Sequence, residues 1–323
     1  MEKINQLLDV SKSVLFDCSL ENGGIVAANT TKRNYPPQAK NYFYIWPRDA
    51  AFACIAADNL GISTIPENFF YWCMEYAEDF TKQGLFYEKY YPNGLKALHR
   101  FQPDQTGAVL FAVWHHLTKV TKPSLSGIYT ELIQKAADGI CSVWNGDHFT
   151  LPANDLWEER MCFPDLRENF SYSLAACIRG LRAANEIIPN QRWEQVAQEM
   201  QHRLDKHFVR YFIRSFGKLP DYRIDASVLG LVYPFEIYEV SDQRMVETIE
   251  ELVQRLSLNG GVHRYEHDEY DGWITDGHHR NKGAGAWPLL NFWLAICAHR
   301  KGEHVTAKRY YYWVVERVGA DGY

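Results

Sequence analysis

The chain has 323 residues, of which 46% are hydrophobic and 23% charged, with a net charge of −6. That apolar fraction can fill a sizeable core and argues against disorder, while the acidic balance and the lack of any Lys/Arg run argue against a nucleic-acid partner. No apolar stretch reaches the roughly 18 residues of a membrane span, and Met1-Glu2-Lys3-Ile4-Asn5 shows no basic-then-apolar leader, so a cytoplasmic protein without membrane contact is expected.

Helical periodicity dominates and strict alternation is rare. The spacing predicts helices near 3–19, 49–60, 66–80, 104–119, 124–144, 169–187, 191–212, 224–235, 242–257, 284–300 and 303–318. Start signals stand at Pro66-Glu67, at Asn190 and at Ser241-Asp242, and stop signals at Gly61, Gly146, Gly260-Gly261 and Gly302. Alternating short and long connections predict stacked antiparallel helix pairs. No Pro/Gly/Ser-rich linker, low-complexity tract or fixed-period repeat divides the chain, so residues 1–323 are expected to form one all-α domain. The long segments 21–48, 81–103, 145–168 and 258–283 read as loops rich in aromatics and charge, where function is to be sought.

Four of these stretches carry candidate chemistry. Tyr42-Phe43-Tyr44-Ile45-Trp46-Pro47-Arg48-Asp49 places an Arg–Asp pair behind aromatics. Asp49 alone reads as a helix cap and Arg48 as surface charge; together with the rings they could grip a sugar, the carboxylate accepting from hydroxyls and the guanidinium donating in a planar fork. Gln102-Pro103-Asp104-Gln105-Thr106-Gly107 follows, and Asp104 reads equally well as a first-turn acid favoured by the helix dipole.

In Asp155-Leu156-Trp157-Glu158-Glu159-Arg160, three carboxylates within five residues repel one another, which should raise at least one pKa. Trp157 could add the low-dielectric wall that keeps a carboxylic acid protonated. The last stretch, Gly260-Gly261-Val262-His263-Arg264-Tyr265-Glu266-His267-Asp268-Glu269-Tyr270-Asp271-Gly272-Trp273, lacks the spacing of a calcium loop. His278-His279 with His267 offer no recognisable ligand set, so no metal and no cofactor are expected. The seven cysteines lack zinc spacing, and Cys54, Cys73, Cys177 and Cys297 lie in apolar helical stretches as small core residues. Aromatics make up 15% of the chain, which suits either an aromatic core or stacking on sugar rings.

In this order and on a helical scaffold, the four segments resemble the glucoamylase-type enzymes of glycoside hydrolase family 15, from about residue 20 onward. The resemblance implies an (α/α)6 barrel and an exo-acting, inverting hydrolase that releases glucose from the non-reducing end of α-glucans or malto-oligosaccharides. It implies that Tyr42, Trp46, Arg48 and Asp49 hold the terminal sugar, joined by Gln102 and Asp104. In Asp-Leu-Trp-Glu-Glu, the most specific match, Glu158 would be the general acid, with Asp155, Trp157 and Glu159 assisting binding. Arg264 and Tyr265 would bring a second guanidinium, and Asp225-Ala226-Ser227 and Trp287-Pro288 also look familial. Leu98 stands where fungal members have a tryptophan beside the aglycone.

By the same resemblance the general base would follow the eleventh helix. The barrel is therefore expected to be incomplete, at about eleven of twelve helices, with the base beyond Tyr323 and hydrolysis by this chain impaired. An oligosaccharide is the expected partner; oligomeric state is left open. Within the family, a trehalase or an isomalto-oligosaccharide hydrolase is the nearest alternative. A sugar-sensing, non-catalytic domain would keep Arg48 and Asp49 but lose the carboxylates, and Asp155-Leu156-Trp157-Glu158-Glu159 is intact. A phosphorolytic enzyme would need a phosphate cradle, which the sequence does not display.

Overall fold

The computed structural model describes residues 2–32, 35–119, 127–270 and 285–319. Helices dominate: α1 (Glu2–Cys18), α2 (Pro47–Asn59), α3 (Thr64–Glu75), the single turn α4 (Phe80–Gln83), α5 (Pro103–Lys119), α6 (Gly127–Ser142), α7 (Ser171–Ile187), α8 (Gln191–Asp205), α9 (Gln243–Leu256), α10 (Pro288–Arg300) and α11 (His304–Val315). No helix among the described residues is long and apolar enough to cross a membrane. The described residues fall into two compact units, one drawn from 12–35 and 41–203, the other from 1–11, 36–40 and 204–323.

In the first unit α5 is the central element. Every residue from Pro103 to Val113 is buried, as befits a helix covered on all sides, and α5 packs against α2, α6 and α7. The approach to α7 is close enough to require glycine. A Cβ on Gly107 would lie 2.5 Å from the backbone of Ala176, and one on Gly180 would lie 2.6 Å from the carbonyl of Gly107. Beside these helices lies a small sheet ordered β1 (Tyr87–Tyr90), β2 (Lys96–Phe101), β3 (Ala153–Asn154) and β4 (Met161–Cys162). β1–β2 and β3–β4 are antiparallel, and Phe101 pairs in parallel with Ala153.

In the second unit α10 packs on α11 and on a 3-10 turn at Ala226–Leu231. α9 shows the amphipathic pattern plainly, burying Met245, Thr248, Leu252 and Leu256 along one face. Its cap is the predicted one: the Asp242 side chain accepts from Arg244 N at 2.9 Å. Asn190 likewise accepts from Arg192 N at 3.0 Å, opening α8.

Three expectations need correction. The helix expected over 224–235 is the 3-10 turn, because Asp225 enters it extended and Pro234 has no N–H to continue a helix. The helix expected over 191–212 ends at Asp205, after which Phe208 and Phe212 form an isolated β-bridge. The segments 81–103 and 145–168, expected as plain loops, supply the whole sheet; their strands are short and bulged, which hides the period of two. All seven cysteines are free and buried. His278-His279, residues 271–273 and the chain end from 320 lie outside the described residues.

Gly107→Ala is expected to destabilise the fold by about 1–3 kcal/mol, since backbone rather than a flexible side chain must give way. Urea unfolding of the variant checks this; a loss below about 0.5 kcal/mol, the range of a neutral surface change, would contradict the close α5–α7 approach.

Candidate active site

The site grows from the start of α2. Ile45 pairs with Tyr90 of β1 through two backbone hydrogen bonds, Ile45 N to Tyr90 O and Tyr90 N to Ile45 O, each 2.8 Å. Pro47 then restricts Trp46 to an extended conformation, φ −96° and ψ 115°, and opens the helix. Trp46 is the N-cap residue and its side chain makes no capping hydrogen bond, so the capping position expected of Asp49 in isolation is not its own. The N–H of Arg48, one of the first-turn donors that a helix leaves unpaired, is taken by Gln105 Oε1 at 2.6 Å.

Arg48 is no surface charge: it is 8% exposed. Its Nη1 donates to Asp104 Oδ2 at 2.8 Å and its Nη2 to Asp49 Oδ2 at 3.2 Å. Asp104 is fully buried in the first turn of α5, where Ser173 Oγ of α7 also approaches it at 3.5 Å. Burial pushes the Asp104 carboxyl up, and Arg48 offsets part of that. Burial would by itself lower the Arg48 pKa, but Asp49 and Asp104 overcome it, so the guanidinium stays charged. Buried Tyr172 is raised, first by burial and then by Asp104.

Glu158 sits on the turn between β3 and β4. Asp155 builds that turn: its Oδ1 accepts from the N–H of Glu159 at 2.8 Å and of Arg160 at 3.0 Å, and its carbonyl from Glu158 N at 3.1 Å. Gln102 Nε2 donates to the Asp155 carbonyl at 2.5 Å, and Gln105 Nε2 donates to Gln102 Oε1 at 2.6 Å. Glu158 consequently has φ +63°, a left-handed conformation that non-glycine residues adopt at a cost. Its Oε1 accepts from the indole N–H of Trp46.

The half-buried Glu158 carboxyl is pushed up to about 8, first by burial and next by the like charge of Glu88; Arg48, Lys89 and the Trp46 N–H pull the other way. The sequence predicted repulsion within the acidic cluster together with a low-dielectric wall. Burial does lead, but the like charge comes from β1, because Asp155 is turned onto backbone amides and Glu159 is exposed. The indole bonded to Glu158 is that of Trp46, while Trp157 is half-buried on the same turn. Tyr42 and Tyr44 stand 5.7 and 6.0 Å from the Trp46 ring.

Of the residues expected from the sequence, Tyr42, Trp46, Arg48, Asp49, Gln102, Asp104, Asp155 and Glu158 are therefore joined through direct contacts in one unit. Arg264 and Tyr265 belong to the other unit. There buried Arg264 donates twice to Asp268, both at 2.6 Å, and lies over the rings of Tyr265, Tyr270 and Trp287 at 5.2, 4.8 and 5.0 Å. Sequence reasoning missed Glu88, Lys89, Gln105, Asn154 and Tyr172. For the first two the sequence offers no periodic signal: Tyr87-Glu88-Lys89-Tyr90 sets a charged pair between aromatics and does not alternate. Among the described residues no group of three or more His, Cys, Asp or Glu could hold a metal ion.

The site thus sets a carboxyl of raised pKa beside a fixed guanidinium and an aromatic wall. Residues 18–313 match the family model "Glycosyl hydrolases family 15", and the chain belongs to that family. It is 30% identical over 311 residues to an uncharacterized glycosyl hydrolase of Methanocaldococcus jannaschii, covering 92% of this chain and 46% of that protein. An isomaltose glucohydrolase of Kribbella flavida is 24% identical over 238 residues, covering 69% and 53%. A trehalase of Thermoplasma acidophilum is 21% identical over 280 residues, covering 78% and 45%. The chain thus spans about half the length of these relatives. Among solved structures, a wild-type glycosidase superposes with a TM-score of 0.80 at 21% identity, covering 99% of this chain and 85% of that one. A glucoamylase from Saccharomycopsis fibuligera gives 0.62 at 18% identity, covering 91% and 72%. The fold class is the expected one, the predominantly helical (α/α)6 type of the glucoamylases.

The raised Glu158 also has a consequence for stability. Below pH 4.5, its ordinary value, the group is neutral in both folded and unfolded chains. Between 4.5 and about 8 the unfolded chain releases the proton and the folded chain retains it, so stability falls with rising pH across that window. Glu158→Gln is expected to be more stable than the parent at pH 8.5, with the advantage shrinking toward pH 4.5. Urea midpoints at several pH values check this; an advantage independent of pH would contradict the raised value.

Proposed function

We propose that the site is that of an exo-acting, inverting glycoside hydrolase that releases glucose from the non-reducing end of α-glucans or malto-oligosaccharides. The observation that carries this reading is the state of Glu158: a half-buried carboxyl pushed up to about 8, protonated at neutral pH and held by the Trp46 N–H. A general acid has to have its proton in place before the bond breaks.

In the proposed step the proton of Glu158 passes to the glycosidic oxygen as its bond to the anomeric carbon breaks. Water attacks the opposite ring face and gives its proton to a second carboxylate, assigned to a residue outside those described. Inversion calls for about 6.5–9.5 Å between the two carboxyls. Arg48 and Asp49 hold the outer hydroxyls of the terminal ring, while Tyr42, Trp46 and Trp157 wall it. Because Arg48 is locked between Asp104 and Asp49, its fork is oriented before substrate arrives, which lowers the ordering cost of binding.

The names of the relatives favour two further substrates, isomaltose and trehalose. The sugar grip acts on the ring being released, so the same acid would serve either linkage. Glucose release from maltose, isomaltose and trehalose in parallel discriminates the three, and NMR of the first product anomer reports inversion. Glu158→Gln is expected to lose about 10²–10⁴-fold in kcat on the disaccharide cleaved. It should lose far less on α-glucosyl fluoride, whose leaving group needs no proton. Equal losses on both substrates would remove Glu158 from the role of acid.

A further inference from the structure

Strand β1 brings two adjacent, oppositely charged side chains to the acid. The Glu88 carboxylate is 1% exposed. It is anchored from β3, where Asn154 Nδ2 donates to Glu88 Oε2 at 2.7 Å, four residues before Glu158. From α5, Gln105 Nε2 holds the Glu88 carbonyl at 3.1 Å, and the same side chain binds the N–H of Arg48. The cations nearest Glu88 are Lys89 Nζ and Arg100 Nη1, both at 3.7 Å, longer than a hydrogen-bonded ion pair. Lys89 is half-buried and turns toward the ring of Trp46, 4.9 Å from its centroid, the indole whose N–H meets Glu158. Neither residue has a part in the step described above.

We propose that Glu88 and Lys89 are a positioning pair for the general acid: the buried Glu88 carboxylate keeps the proton on Glu158, and the Lys89 ammonium favours its release. The proposal rests on the reading of Glu158 as the acid. The charged groups that act on Glu158 are Arg48 from α2, with Glu88 and Lys89 from β1; Asp155 and Glu159 share its turn. Arg48 is fixed by two carboxylates, and Asp155 is spent on backbone amides, which leaves β1 as the strand that sets the balance. A buried like charge destabilises the ionised acid, and a nearby cation does the reverse. The effect is asymmetric in the way catalysis needs. When Glu158 gives up its proton to the leaving oxygen, the new carboxylate feels the like charge of Glu88, so the site is poised to take the proton back for the next turnover.

The test is the alkaline limb of kcat/KM against pH on maltose, where loss of the proton from the free enzyme ends activity. Glu88→Gln keeps an acceptor for Asn154 and removes the charge; the limb should move to lower pH by roughly one unit. Lys89→Met should move it to higher pH. A merely structural role would lower the rate at all pH values without moving the limb. Limbs unmoved in both variants, or moved in the same direction, overturn the proposal. Should Glu88→Gln not fold, Lys89→Met decides by the sign of its shift alone. Glu158→Gln run alongside separates the two levels. If that variant retains the alkaline limb, the acid itself is misassigned; if it loses the limb while the two β1 variants leave theirs in place, only the pairing fails.

Discussion

A guanidinium taken out of water must be paired, and in this molecule that demand organises the site. Arg48 is buried with Asp104 on one side and Asp49 on the other. Breaking such a pair leaves an uncompensated charge in the interior, a loss of several kcal/mol by the usual reckoning. The first turn of α2 and the first turn of α5 are therefore fixed to each other by an ion pair as well as by packing. Gln105, one residue after Asp104, closes the same joint by accepting the Arg48 N–H. It then passes the constraint through Gln102 to the carbonyl of Asp155, at the root of the turn that carries Glu158.

The turn itself trades stability for position. Asp155 spends its side chain on the amides of Glu159 and Arg160, and Glu158 is held at positive φ. A carboxyl held there, half-buried and near the like charge of Glu88, retains a proton that it would lose in water, against the pull of the Trp46 N–H. That state costs stability above the ordinary carboxylate range, and in the same range it is what the proposed acid catalysis requires. Strain and a displaced pKa at one residue are commonly found together where function, not stability, selects the geometry.

Much of this was legible in the sequence. Helix order followed from apolar spacing, and caps such as Asp242 and Asn190 were visible as residue types. The ordered motifs pointed to Trp46, Arg48, Asp104 and Glu158 together. What stayed hidden depended on tertiary burial. Taken by itself Arg48 reads as surface charge, because nothing local announces that Asp104, 56 residues later, neutralises it. The elevated Glu158 is anticipated by the low-dielectric wall, but the source of the like charge is not. Like charge arrives from Glu88 across a sheet whose strands are too short and irregular to show their period. Gly107 stood out within a motif, yet its reason is the backbone of α7 at van der Waals distance.

The function proposed for this member of glycosyl hydrolase family 15 has one requirement, that Glu158 be protonated before substrate binds. The most direct measurement is the titration of that group. Side-chain carboxyl carbons of 13C-labelled glutamate, compared between the parent and Glu158→Gln to assign the signal, give its pKa by NMR. The account predicts a midpoint near 8. A midpoint near 4.5, the ordinary value for glutamate, would contradict it and remove the physical basis for Glu158 as the acid.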